Sequence, residues 1–221
     1  MPQTLLVIFA LFLLFCGKSY SQPQEGQNEK PQIVSAKGYY GFIIAHRRSL
    51  REVSQSSPWG VQLEWSRHHI TQQAWDYCGC YPRIGFALNY TNFNYPKVLG
   101  NSYAASAFIE PFIAFDSRIK PSFKFGLGLT YLDKLHDETT NPDNQFFSYP
   151  VSFFLYADLG LHYTLNEKWN LVLEASYPHI SNGGVEQPNK GINFPVAKFG
   201  AEYKLDPVQF IHRTREKSIS E

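Results

Sequence analysis

Residues 151–164 constrain the fold most. Phe153, Leu155, Ala157, Leu159, Leu161 and Tyr163 alternate with Ser152, Tyr156, Asp158, Gly160 and His162. Successive side chains of an extended chain point to opposite faces, so this period describes a strand with one apolar side. The period recurs in 121–132, where Phe123, Phe125, Leu127, Leu129 and Tyr131 oppose Ser122, Lys124, Gly126, Gly128 and Thr130. It recurs in 168–178, where Trp169, Leu171, Leu173, Ala175 and Tyr177 oppose Asn170, Glu174 and Ser176. Eight such segments are expected, over 38–46, 60–67, 83–91, 103–115, 121–132, 151–164, 168–178 and 194–205, divided by turn-rich stretches. The fold class is all-β.

Which side faces water follows from residue size and charge. The polar faces hold small residues with Glu64, Arg83, Lys124, Asp158, Glu174, Lys198 and Glu202. Small residues mixed with both charge signs suit a narrow lumen in which buried charges pair. The opposite faces are large and aromatic, and the chain is 16% aromatic with 18 Phe and 14 Tyr. That suits contact with lipid and interfacial girdles better than a soluble barrel with its apolar side inward. The expectation is an eight-stranded antiparallel transmembrane β-barrel over residues 37–206. A net charge of +1 with no basic patch argues against nucleic-acid binding.

The ends read differently. Leu5 to Phe15 is an apolar run of signal-peptide length, and Ser19-Tyr20-Ser21 supplies small residues for cleavage before Gln22. Residues 1–21 are therefore assigned to a signal peptide. Lipidation at Cys16 is disfavoured by the bulk of Phe15. Residues 22–36, rich in Gln, Glu, Pro, Lys and Asn, read as a disordered leader, and 207–221 as a polar tail. Short links near 116–120 and 165–167 and long ones near 133–149 and 179–193 orient the barrel, because short turns face the periplasm and long loops the exterior. The link at 68–82 is too long for a periplasmic turn. Its Cys78 and Cys80 lack the other ligands of a zinc site and read as loop thiols or a local disulfide.

The stretch with chemical content is Tyr177-Pro178-His179-Ile180-Ser181-Asn182-Gly183-Gly184, followed by Gln187-Pro188-Asn189-Lys190-Gly191-Ile192-Asn193. His179 and Ser181 share a face of an extended strand, roughly 6.5–7 Å apart, within reach of a nucleophile–base hydrogen bond. They continue the odd-numbered, lipid-facing set of that strand if Pro178 introduces no bulge. A pair aimed at the outer leaflet suits a lipid ester. Asn182, Gly183 and Gly184 could supply backbone N–H groups to an oxyanion, each worth roughly 3–4 kcal/mol in a transition state.

These residues resemble the active-site motif of the lipid A 3-O-deacylases, also described as acyloxyacyl hydrolases. The resemblance is carried by His179-Ile180-Ser181-Asn182-Gly183-Gly184, Gln187-Pro188-Asn189 and Gly191-Ile192. It implies an outer-membrane eight-stranded barrel of a Gram-negative cell that acts on lipid A of lipopolysaccharide, removing an ester-linked acyl chain without a metal or other cofactor. His179 is then the base, Ser181 the nucleophile, and Asn182 with the glycines the oxyanion site. The family's third member is a Glu, and Asn193 stands at its position. An amide oxygen still orients an imidazole, or Glu186 substitutes from the loop. Outer-membrane phospholipase A also resembles this motif and carries an Asn at that spacing. It depends on calcium, dimerisation and a twelve-stranded barrel, so a phospholipase and a homodimer stay open. A third reading is a non-catalytic barrel that anchors or binds ligands.

Other conspicuous residues have plainer explanations. His162 is expected to bond within the lumen, His68-His69 to lie in a solvated loop, and Trp59, Trp75 and Trp169 to anchor the interfaces. Glu110-Pro111 is expected to form a bulge within the fourth strand.

Overall fold

The computed structural model describes residues 29–45, 52–113, 117–208 and 210. The assigned signal peptide, leader residues 22–28 and tail residues from 211 onward lie outside them. The strands are β1 (Gln32–Gly41), β2 (Trp59–His68), β3 (Arg83–Asn92), β4 (Asn101–Glu110), β5 (Ile119–Leu132), β6 (Val151–Thr164), β7 (Trp169–Ser181), the two-residue β8 (Ile192–Asn193) and β9 (Val196–Lys204). Each long strand pairs antiparallel with its neighbours from β1 round to β7. β9 then pairs with both β7 and β1, which closes an eight-stranded barrel, while β8 is an extra pairing on the outer part of β7.

Closure sorts the side chains as their period requires. Phe123, Phe125, Leu127, Leu129 and Tyr131 are exposed on the outer wall beside Phe153, Leu159, Leu161, Leu173 and Phe199. Glu64, Arg83, Lys124, Asp158, Glu174, Lys198 and Glu202 are buried inside. An isolated charge in such an interior is prohibitively costly, and these form one network. The Lys124 ammonium contacts Glu174 at 2.7 Å and Glu64 at 2.9 Å. Lys37 reaches Glu64 at 2.8 Å and Glu174 at 2.9 Å, Lys198 reaches Asp158 at 2.8 Å, and Arg83 binds Glu110 and Glu202. His162 lies in the same network, with Nε2 3.0 Å from Glu110.

Four local expectations are corrected. β1 begins at Gln32, so residues 32–36 are paired strand rather than leader, with Ser35 opposite Glu64 and hydrogen-bonded to it at 2.9 Å. Glu110-Pro111 is the end of β4 and not a bulge, because proline has no N–H to continue the ladder. His68 is not in a solvated loop: it is the buried last residue of β2 and bonds the Tyr81 carbonyl at 2.9 Å. The long link after β2 is filled by helix α1 (Gln72–Cys78), capped by Thr71, and by a Cys78–Cys80 disulfide.

The links alternate between the two ends of the barrel. One end carries the spans 69–82, 111–118 and 165–168, and the other carries 42–58, 93–100, 133–150 and 182–195. The second, long-loop end holds the motif.

Candidate active site

β7 delivers the motif to the long-loop rim. Its burial alternates without interruption through Pro178, so no bulge resets the parity. Val172, Glu174, Ser176, Pro178 and Ile180 point inward, while Tyr177, His179 and Ser181 face outward. Pro178 has no N–H to give the ladder, and its carbonyl accepts from Phe194 N–H at 3.2 Å.

The loop after β7 returns on itself so that β8 pairs with β7 and places Asn193 opposite His179. The imidazole Nδ1 lies 2.8 Å from the Asn193 Oδ1. With Nδ1–H donating to that oxygen, Nε2 carries the lone pair. Gly191 makes this approach feasible. Its φ is +60°, and a Cβ there would stand 3.0 Å from the imidazole Cε1.

Ser181 is the last residue of β7, and its hydroxyl is turned toward the loop. Its Oγ receives hydrogen bonds from Asn189 Nδ2 at 3.1 Å and Gly183 N–H at 3.3 Å. Among the described residues it makes no hydrogen bond to His179. The expected pair therefore shares a face and a rim without the direct contact, a common state of catalytic groups before substrate arrives.

The expected oxyanion donors divide into two groups. Asn182 is buried and structural: its side chain donates to the Glu186 carbonyl at 2.9 Å and to Ser148 Oγ at 3.3 Å, and accepts from Gly184 N–H at 2.8 Å. Its own N–H donates to Asn189 Oδ1 at 3.3 Å. Gly183 N–H, in contrast, points at the serine oxygen. Asn189 joins it there, although sequence reasoning gave it no role. Its place inside the Gln187-Pro188-Asn189 run was the available signal. Glu186 has an exposed side chain, and its carbonyl holds the loop, so Asn193 rather than Glu186 contacts the histidine.

Below the pair, the outer wall is hollowed. Ala175 of β7 lies opposite Ala197 of β9, Ala157 of β6 lies one outward position further toward the rim opposite Tyr177, and the three line a groove of about 860 Å³. Phe123, Leu159, Tyr177, Tyr40 and Phe42 contribute to its walls. Ala175 is six residues before Ser181 on the same strand face, about 20 Å at the rise of a β-strand. Among the described residues, the one potential set of metal ligands is Glu110, His162 and Glu174, inside the lumen. Its oxygens are already engaged with Arg83, Lys124 and Ser122, so it belongs to the ion-pair network.

Residues 49–202 match the family described as lipid A 3-O-deacylase (PagL). The crystal structure of the outer-membrane enzyme PagL is similar, with a TM-score of 0.54 and 18% identity over 80% of this chain and 99% of that one. Neisserial surface protein A aligns with a TM-score of 0.45 and 15% identity over 78% of this chain and 95% of that one. The N-terminal barrel of Pseudomonas aeruginosa OprF aligns at 0.44 and 11%, over 79% and 98%. No curated protein matches in sequence. The family match spans more than half the sequence and includes every residue of the rim described above, so the chain belongs to the lipid A 3-O-deacylase family of outer-membrane β-barrels.

Proposed function

We propose that this protein is a serine esterase that removes an ester-linked acyl chain from lipid A in the outer leaflet. Ser181 is the nucleophile, His179 the general base and Asn193 the group that orients it. The observation that carries this reading is the placement of His179, held by Asn193, next to Ser181 on the lipid-facing side of β7. A soluble substrate would call for a site in the lumen or a loop pocket.

The steps follow from the geometry. A substrate ester entering at the rim displaces the Ser181 hydroxyl from Asn189, and the hydroxyl turns to His179 Nε2. Nε2 takes the proton as Oγ attacks the ester carbonyl, and the imidazolium keeps its Nδ1–H on Asn193. Gly183 N–H and Asn189 Nδ2, which bind the serine oxygen beforehand, are the donors nearest the nucleophile and turn to the carbonyl oxygen as its charge develops. Collapse expels the sugar hydroxyl, which receives the proton from His179. Water activated by the same base then releases the fatty acid. The alanine-floored groove accommodates the acyl chain along the membrane normal.

Phospholipase chemistry is the second reading, favoured by Asn193 standing where the deacylases carry Glu. The test is mass spectrometry of lipid A after incubation with purified protein and with Ser181→Ala. Loss of one ester-linked hydroxyacyl chain with the unaltered protein alone is the expected result. Intact lipid A with calcium-dependent cleavage of phospholipid would transfer the activity to the second reading. No cleavage of either lipid would leave a barrel that anchors or binds ligands.

A further inference from the structure

The long link between β2 and β3 contains a feature with no part in the chemistry above. Helix α1 ends at Cys78, Gly79 reverses the chain in the left-handed region at φ +63°, and Cys80 returns to bond Cys78, their Cα atoms 5.1 Å apart. Such C-caps favour glycine, and nothing lies within 4 Å of a Cβ placed at Gly79, so backbone conformation rather than space selects it.

This disulfide ties together no two elements. Its partners are two residues apart, so it closes about the smallest loop a disulfide can, and it removes little freedom from the unfolded chain. The link is fixed independently. His68 pairs with Arg83 across its base, Tyr81 is fully buried, and the Trp75 ring packs at a tilt against Tyr81 with ring centres 5.2 Å apart. Cys78 and Gly79 are exposed and Cys80 is half-buried, so an incoming thiol can reach the Cys78 sulfur. Exposed disulfides that do not hold a fold together are the labile ones that undergo exchange.

We propose that Cys78–Cys80 is a thiol–disulfide exchange site whose substrate is a low-molecular-weight thiol. It lies at the short-turn end, the periplasmic side of an outer-membrane barrel. A thiolate attacks Cys78 Sγ, the Cys78–Cys80 bond breaks, and Cys80 leaves as a thiolate that takes up a proton. A second thiol attacks the mixed disulfide and leaves as the oxidised small-molecule disulfide, giving a protein dithiol. The reverse sequence re-forms the bond. The protein gains two electrons and two protons, and the two small thiols lose them.

The test uses the full chain carrying Cys16→Ser, refolded as a barrel and equilibrated with glutathione at a series of reduced-to-oxidised ratios. Free thiols are then trapped with a maleimide of high mass, and folding is followed by the gel mobility of the unheated barrel. The expected result is no labelling in oxidised protein and stepwise labelling of two thiols as the ratio rises, with the folded mobility unchanged. Cys80→Ser should leave a Cys78 thiol that takes up one glutathione. Two thiols labelled without any reductant, or a pair that opens only when the barrel unfolds, would overturn the proposal. The readout is independent of lipid hydrolysis, so its failure leaves the esterase reading untouched.

Discussion

Replacing Asn193 by Asp isolates the contribution of a single charge. Asn and Asp have the same shape, so Oδ1 keeps its 2.8 Å approach to His179 Nδ1, and the replacement adds a carboxylate beside the imidazolium that the proposed attack would form. Two unit charges about 4 Å apart attract by about 1 kcal/mol in water and about 4 kcal/mol near a protein surface. His179 is half-buried, so a gain of about 1–2 kcal/mol in the transition state is the appropriate fraction. That corresponds to a rise of roughly 5- to 30-fold in kcat. The assay is single-turnover release of the hydroxyacyl chain from lipid A in mixed micelles, compared at equal folded fraction. Asn193→Ala, which removes the acceptor, should move the rate in the opposite direction by at least tenfold. An Asp variant that folds and turns over at the original rate or slower would refute the idea that residue 193 faces the developing charge on His179.

Further outcomes follow from other residues. Glu186→Ala should leave kcat within about twofold, because its side chain is exposed and its carbonyl is retained; a loss like that of Asn193→Ala would reassign the orienting role. Gly191→Ala should lower kcat, since its Cβ crowds the imidazole, and should destabilise the barrel by no more than about 1–2 kcal/mol, the cost of an L-residue at φ +60°. Ala175→Phe, on the outer wall, should lower kcat/KM for long-chain substrates and spare a short soluble ester, as measured by hydrolysis of a chain-length series. Lys124→Met removes the cation shared by Glu64 and Glu174 and should destabilise the barrel by about 3–5 kcal/mol, read from urea unfolding in detergent.

The sequence displayed the fold where a strand has two unlike faces. β5, β6 and β7 carry large apolar residues on one face and small or charged ones on the other, and β6 occupies the 151–164 expected for it. β1 was harder to delimit. Its inward face sets Ser35 and Lys37 between Ile33 and Tyr39, and a lysine following a polar leader resembles solvated chain until Glu64 and Glu174 are seen across the lumen. Pro111 was legible as a disruption, but only the pairing partner decides between a bulge and an end.

The site followed the same division. Strand parity alone placed His179 and Ser181 on the outer wall, because it needs only counting along β7. The contact from His179 to Asn193 depends on the ten-residue loop 182–191 returning to pair with β7, and no local period specifies that path. Motif resemblance supplied Asn193. The position of Asn189 against the serine oxygen, and the commitment of Asn182 to its own loop, emerge only when the hydrogen bonds of 182–193 are followed donor by donor.

The paired charges across the middle of the lumen leave the barrel wall as the working surface. On the reading proposed above, a nucleophile mounted on that wall meets its substrate in two dimensions. The ester and the released fatty acid both remain within one leaflet, and the concentration that governs turnover is a mole fraction among neighbouring lipids rather than a molarity in water. Diluting the substrate lipid with inert lipid should therefore slow the reaction as effectively as withdrawing substrate slows a soluble enzyme, while adding more membrane of the same composition should not.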